Sequence, residues 1–150
     1  MLETRFEVCY VKYFYVIALE SIFNILEHSS KISCEIEDAQ VLDLFSGSGS
    51  FGLECISRSA KKVSFVENYN DALKILKKNI QNLKCEEKTI VFDNDCFKIE
   101  NIIRKFQNKF YIIFLDPPLK EKKINFIIEK MLDYKILSSN GIIVIHRNKK

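Results

Sequence analysis

Hydrophobic residues follow two periods that alternate along the chain, one typical of buried strands and one typical of helices. Mostly apolar runs of strand length occupy residues 41–45, 63–66, 89–92, 111–115 and 142–145. Between these runs, apolar residues recur every three or four positions, as they do on one face of a helix. Strands that alternate with helices predict an α/β fold, with a doubly wound, mainly parallel sheet of about five strands flanked by helices.

A glycine-rich turn follows the first predicted strand, in the stretch VLDLFSGSGSFG from Val41 to Gly52. Gly47, Gly49 and Gly52 have the G-x-G-x-x-G spacing, which allows a tight turn and lets backbone N–H groups approach a ligand. Glu67 ends the next predicted strand, about 20 positions on, where an acidic residue can hold ribose hydroxyls. The pattern predicts a site for a nucleotide-like ligand.

Asp43 distinguishes between possible ligands of this turn. A carboxylate beside the turn would repel the pyrophosphate of a dinucleotide, but it would attract a ligand that carries an ammonium and a sulfonium group. The residue therefore favours S-adenosylmethionine over NAD and disfavours an NAD-linked oxidoreductase. The alternative is that Asp43 only accepts hydrogen bonds from the turn.

Two consecutive prolines follow the fourth predicted strand, in the sequence Asp116-Pro117-Pro118-Leu119. Because proline continues neither a central strand nor a helix, the pair predicts a rigid corner at the carboxyl edge of the sheet. Ligands of such sheets bind at this edge, which would also carry the glycine turn and the acidic residues Asp43, Glu67, Asp95 and Asp116. The alternatives are a turn-forming role for Asp95 and a helix-capping role for Asp116.

Composition and charge favour one globular domain over residues 1–150. The 150 residues are 47% hydrophobic, which is enough for a core. The net charge is +3, but the first 60 residues hold 4 basic and 9 acidic side chains, and the remaining 90 hold 19 and 11. A basic second half suits RNA, although 19 of the 23 basic residues are lysines, which are also typical of solvated helix faces.

The sequence predicts no membrane-spanning segment, no metal site and no catalytic histidine. The most apolar segment, Val8 to Leu19, is shorter than the roughly 20 residues of a spanning helix, and the residues before it do not resemble a signal peptide. The five cysteines never form C-x-x-C, so we expect reduced thiols in a cytoplasmic protein and no metal site. His28 and His146 are expected to be ordinary terminal or surface residues.

From about Ala18 to the C-terminus, the sequence resembles the bacterial RsmD-type 16S rRNA guanine-N2 methyltransferases, S-adenosylmethionine-dependent enzymes of Rossmann-like fold. The resemblance is carried by ALESIFNIL, DLFSGSGSFGLECISRSA, FVE and FLDPPL. It implies methyl transfer to the N2 amine of a guanine, with 16S rRNA or a small-subunit assembly intermediate as partner. A monomer without metal is expected.

The resemblance also implies roles for individual residues. Asp43, Gly47 and Gly49 would hold the methionine part of the cofactor, Glu67 the ribose, and Asp95 would lie near the adenine. Phe45, Ser48 and Cys96 would also contact the cofactor. The amino group to be methylated would face the catalytic corner, formed by Asp116, Pro117, Pro118 and Leu119.

The sequence differs from the usual family pattern in three places. Leu119 stands where an aromatic residue usually stacks on the target base, and residues 1–17 lack the basic, Arg-Pro-Thr-like run of the family. The chain also stops soon after the fifth predicted strand, where the family usually adds an antiparallel strand pair, and a sheet without this pair is expected to expose an edge. A chain shortened at both ends is therefore expected. Methylation of DNA adenine or protein glutamine, and a non-catalytic cofactor- or RNA-binding protein, are the alternatives.

Overall fold

The computed structural model describes residues 7–11, 15–32, 34–118 and 123–146. Within these ranges, the centre of the fold is a six-stranded sheet in which every strand pairing is parallel. In chain order the strands are β1 (Glu7–Val11), β2 (Gln40–Leu44), β3 (Lys62–Glu67), β4 (Thr89–Asp93), β5 (Phe110–Leu115) and β6 (Leu137–His146). The doubly wound α/β fold predicted from the sequence is confirmed.

The strand order across the sheet is β1-β6-β5-β2-β3-β4. From β2 the chain adds β3 and β4 on one side, and then returns to place β5 and β6 on the other. The switch point between β2 and β5 is where an open α/β sheet forms a crevice at its carboxyl edge. The glycine turn after β2 and the proline corner after β5 are therefore neighbours in space.

In the described parts of the chain, five α-helices cover the two faces of the sheet: α1 (Tyr15–His28), α2 (Ser50–Ser57), α3 (Asn70–Asn82), α4 (Glu100–Ile103) and α5 (Ile124–Asp133). The first three pack on one face and the last two on the other. Side chains along β2 alternate between these layers, with Val41 in the first and Leu42 and Leu44 in the second. In the first layer, the ring of Phe51 stacks on that of Phe114, with 4.0 Å between centroids. None of the described helices is long and apolar enough to span a membrane.

The strand β1 was not predicted from the sequence. It lies in parallel beside β6, with Glu7 opposite Ile142 and Val11 opposite His146. The last strand, β6, therefore has a partner on each side, β5 and β1, and does not form an edge of the sheet. The apolar run from Val8 to Leu19 continues through both β1 and the start of α1, so the pattern offered no boundary between them.

Candidate functional site

A cleft of about 470 Å³ opens at the carboxyl edge of the sheet. The ends of four neighbouring strands, β3, β2, β5 and β6, supply much of its wall. Its lining includes Phe45, Glu67, Asp95, Asp116, Pro117 and His146. Three of the acidic residues predicted to converge at this edge, Glu67, Asp95 and Asp116, therefore line one cavity.

The glycine loop, residues 45–49, makes its turn with three left-handed backbone conformations, at Phe45 (φ 57°), Gly47 (φ 53°) and Gly49 (φ 83°). A Cβ on Gly47 would meet no atom within 4 Å, so the left-handed backbone angle, and not lack of space at Cβ, favours glycine there. A Cβ on Gly49 would collide with the side chain of Leu76 in α3. Phe45 adopts the strained conformation without being glycine, and its ring packs 5.1 Å from that of Phe97.

Glu67 holds the glycine loop in place. One carboxylate oxygen, Oε2, accepts the backbone N–H of Gly47 at 2.8 Å, and the other, Oε1, accepts those of Asn68 and Tyr69 at 2.9 Å each. Because a carboxylate has about four lone-pair sites and three are used here, Oε2 can still accept a further donor from the cleft. Glu67, which is predicted to bind the ribose, therefore also joins the end of β3 to the glycine loop after β2.

Asp43 is buried beneath the loop, with 1% of its surface exposed. Its Oδ2 accepts the backbone N–H of Gly52 in the first turn of α2, at 3.0 Å. Burial is the main cause that raises the pKa of Asp43 to about 8; the bond from Gly52 lowers it, and the charges of Asp116 and Glu67 raise it further. Asp43 thus accepts a hydrogen bond from the third glycine of the G-x-G-x-x-G motif, in line with the alternative that the sequence left open. Its predicted role in cofactor binding stays a prediction.

The third glycine, Gly52, lets α2 approach β3 closely. A Cβ at this position would collide with the ring of Phe65 and would lie 2.7 Å from Cγ1 of Val63. The loop is also anchored from α3, because the side-chain amide of Asn79 donates to the carbonyl of Ser48 at 3.0 Å. Ser48 itself contacts Ser50, with their hydroxyl oxygens 3.0 Å apart. Asn79 belongs to no recognisable sequence motif, so its contact with the loop was not predicted.

Asp95 and Cys96 lie after β4 on a short 3₁₀ turn. Asp95 caps this turn, because its Oδ1 accepts the backbone N–H of Phe97 at 2.9 Å, as its turn-forming alternative predicted. The Cys96 thiol is not on the cleft wall: it lies beneath the loop, 3% exposed, with Sγ accepting the N–H of Phe45 at 3.2 Å. Burial raises the pKa of this thiol to about 12. Any contact of Cys96 with a bound ligand would have to come from its backbone.

The corner after β5 brings Asp116 to the cleft, with 27% of its side chain exposed. Pro117 is buried and Pro118 is exposed, and both line the cleft. The predicted catalytic residue Leu119 lies outside the described residues. Asp116 therefore presents a partly accessible carboxylate beside a proline backbone whose geometry is restricted.

His146 was not predicted as a functional residue, and its expected position on the surface is wrong. It ends β6 with its side chain only 7% exposed, and its Nδ1 lies 2.8 Å from Oδ1 of Asp116. The two residues are neighbours because Leu115 of β5 is opposite Ile145 of β6, so the next residue of each strand lies beside the other. Burial raises the pKa of Asp116, and the hydrogen bond and charge of His146 lower it in part. The other histidine, His28, is exposed as expected.

Comparison with known proteins identifies the family. The profile described as Conserved hypothetical protein 95 matches residues 17–150. The protein YlbH of Bacillus subtilis (strain 168) is 32% identical over 131 residues, which are 87% of this chain and 68% of YlbH. Ribosomal RNA small subunit methyltransferase D of Haemophilus influenzae is 34% identical over 116 residues, 76% of this chain and 59% of that protein. The chain thus spans 68% of the length of YlbH and 59% of the length of the Haemophilus influenzae protein.

A solved structure agrees with the sequence comparisons. The crystal structure of HI0767 from Haemophilus influenzae superposes with a TM-score of 0.62 at 32% identity, covering 79% of this chain and 70% of the other. The family profile over residues 17–150 and these matches indicate the same family. The chain belongs to the Conserved hypothetical protein 95 family, the RsmD-type family of S-adenosylmethionine-dependent rRNA methyltransferases that its sequence resembles.

Proposed function

We propose that this protein is an S-adenosylmethionine-dependent methyltransferase that acts, as a single domain over residues 1–150, on the exocyclic N2 amine of a guanine in 16S rRNA. The observation that carries the proposal is the shared cleft of Glu67 and Asp116. One residue holds the glycine loop and the other begins the proline corner, so the two sequence motifs open into the same cavity.

The chemistry of the cleft fits this cofactor. A volume of about 470 Å³ lies within the range of small-molecule sites. The wall combines the carboxylates of Glu67, Asp95 and Asp116 with the rings of Phe45 and Phe97. Carboxylates would repel the pyrophosphate of a dinucleotide, whereas they attract the cationic groups of S-adenosylmethionine, and aromatic rings suit its adenine. In the proposed site Glu67 holds the ribose, and Asp43 and the glycine loop hold the methionine part.

The bound cofactor would supply a methyl group on a positively charged sulfur, and the chain must make the amine reactive. An exocyclic guanine amine is a poor nucleophile, because its lone pair is delocalised into the ring. In our proposal the Asp116 carboxylate and the Pro117 carbonyl each accept one N–H of this amine, so its lone pair is directed at the methyl carbon. Catalysis then comes chiefly from orientation and electrostatics in an in-line displacement.

Two features support a polyanionic substrate. The residues after position 60 carry a net positive charge, and α3 exposes a series of lysines, Lys74, Lys77 and Lys78. A base inside a helix cannot reach a cleft of this kind, so the target guanine would have to leave its stack.

Among the described residues, no three potential ligands of the types His, Cys, Asp and Glu are grouped closely enough to bind a metal.

The test is transfer of labelled methyl from S-adenosylmethionine to small ribosomal subunits from cells that lack the modification. Wild-type protein should label one guanine of the 16S rRNA, and Asp116→Asn should abolish labelling without loss of cofactor binding. Asp133→Asn is the matched control, because this exposed aspartate ends α5 near the start of β6, at the opposite edge of the sheet.

The other outcomes identify the alternatives. Labelling of naked DNA or of a glutamine-containing protein, but not of ribosomal subunits, would replace the rRNA substrate and keep the chemistry. Tight cofactor binding without transfer to any of these substrates would support a non-catalytic cofactor-binding protein. Absence of cofactor binding would overturn the proposal.

A further inference from the structure

We propose that His146 is a positioning residue for Asp116: its Nδ1–H holds Oδ1 of the carboxylate, and this leaves Oδ2 directed to the cleft to accept an N–H of the target amine. The inference rests on the proposed function, because it assigns a direction to the carboxylate that the methylation reaction requires. Neither the glycine motif nor the proline corner contains a histidine, so the inference adds a new residue to the proposed site.

The first support is the geometry of the pair. The separation of 2.8 Å between Nδ1 and Oδ1 is that of a charge-assisted hydrogen bond. An ionised carboxylate can only accept, so Nδ1 must be the donor. The carboxylate and the ring also differ in access, since 27% of the Asp116 side chain but only 7% of that of His146 is exposed. Both residues line the cleft, but His146 is the more deeply buried of the two, so the exposed part of the Asp116 carboxylate is left for the substrate.

The second support is the place of His146 in the sheet. It ends the strand that lies between β5 and β1, with Val11 as its register partner on one side and Asp116 after the Leu115–Ile145 pair on the other. A residue held within a sheet cannot follow the movement of a loop. Asp116, in contrast, begins the loop of the proline corner, where a carboxylate can rotate about its own bond. Because its donor is held in the sheet, the hydrogen bond restricts the rotation of the Asp116 carboxylate.

The third support is the electrostatic surroundings of Asp116. Among the described residues, the other charged side chains near Asp116 are carboxylic acids: Glu67 and Asp95 on the cleft wall, and Asp43 on a small cavity that Asp116 and His146 also line. The cleft wall also holds the phenol of Tyr69. Burial raises the pKa of Asp116, and His146 supplies the contributions that lower it. An amine donor needs the ionised carboxylate as acceptor. His146 favours the form of Asp116 that can accept.

Two substitutions separate a positioning role from simple space filling. His146→Leu removes the donor and keeps an apolar side chain of similar bulk, whereas His146→Asn places an amide N–H near the position of Nδ1. Under saturating cofactor and ribosomal subunits, we expect His146→Leu to lower the rate constant of methyl transfer by about tenfold to a hundredfold, as for a lost hydrogen bond to a charged group. His146→Asn should stay within about tenfold of the wild type, and faster than His146→Leu. Equal rates for wild type and His146→Leu would overturn the proposal, and so would equal losses in both variants.

A second measurement needs no catalytic turnover. The carboxyl of Asp116 is followed by NMR in protein labelled with carbon-13 at the aspartate side chains, and the signal is assigned from its absence in Asp116→Asn. His146→Leu should raise the pKa of Asp116 above its wild-type value, and His146→Asn should raise it less. An unchanged pKa in His146→Leu would overturn the contact. If the pKa moves as expected but the wild type methylates no substrate, the proposed function fails while the role of His146 in orienting Asp116 is upheld.

Discussion

The carboxylate of Glu67 accepts the backbone N–H of Gly47 at 2.8 Å, and this hydrogen bond joins the end of β3 to the glycine loop after β2. The same side chain also accepts the N–H groups of Asn68 and Tyr69. The residue that the sequence predicts to bind the ribose is therefore also one of the supports of the glycine loop. Binding and local folding depend on one carboxylate.

Glu67→Gln should accordingly affect both properties. The glutamine side chain has one acceptor oxygen and an NH₂ group, and this NH₂ would face a backbone N–H that now has no acceptor. We expect the free energy of unfolding to fall by about 1–3 kcal/mol and cofactor affinity to fall by at least about tenfold. Denaturant unfolding and a cofactor titration measure the two effects. Glu129→Gln, at an exposed position on α5, should change neither. A loss of affinity at full stability would show that Glu67 does not support the loop.

Gly52→Ala should destabilise the whole domain, because the new methyl group would overlap the ring of Phe65 and the side chain of Val63. Overpacking of this kind lowers the free energy of unfolding by about 1–3 kcal/mol. Gly47→Asn is the matched variant, because its Cβ meets no atom within 4 Å and asparagine tolerates the left-handed backbone. We expect a loss of less than about 1 kcal/mol for it. Equal losses in the two variants would contradict the role assigned to helix–strand contact.

Asp43 should make stability depend on pH. At pH 3 to 4 the carboxyl is protonated to a large extent in both states. As the pH rises towards 8, the unfolded chain loses this proton while the folded protein, with a pKa of about 8, keeps it. The unfolded state is then favoured, so the free energy of unfolding falls by up to about 1.4 kcal/mol per pH unit in this range. Above pH 8 both states are ionised and the loss ends.

The measurement is denaturant unfolding of the wild type and Asp43→Asn at a series of pH values. The neutral amide keeps an oxygen for the N–H of Gly52 but carries no titrating proton, so the variant should gain stability relative to the wild type from pH 4 to pH 8. The raised pKa of Asp116 acts in the same direction in both proteins and largely cancels in the difference. A difference that does not vary with pH would show that Asp43 is ionised in the folded state.

The buried thiols should be inert. Cys34, Cys55, Cys85 and Cys96 are all buried, and burial raises the pKa of each thiol, to about 11 for Cys34 and to about 12 for Cys96. A chromogenic disulfide reagent at pH 8 should therefore react with at most one of the five cysteines of the native protein, and with all five in denaturant. Rapid reaction of two or more native thiols would show that this packing opens readily.

Much of the fold and part of the site could be predicted from the sequence, because both rest on local signals. Strand runs such as residues 111–115 identify the parallel sheet, and the spacing from Gly47 to Glu67 places the loop and its acidic residue. His146 could not be found this way. Its contact with Asp116, 30 residues away, depends on β6 lying beside β5, and strand order is a long-range property. The direction of the Cys96 thiol likewise depends on packing beneath the loop.

The pairing of β1 with β6 joins two segments separated by more than 120 residues, Glu7–Val11 and Leu137–His146. A ribosome delivers the first of these long before the second. During synthesis β1 therefore stays unpaired with β6 until β6 has emerged, and only then can the full six-stranded sheet form. His146 is the final residue of that strand, so its hydrogen bond to Asp116 cannot form before β6 has emerged. A nascent chain with the glycine loop already in place would still lack the complete acceptor for its substrate.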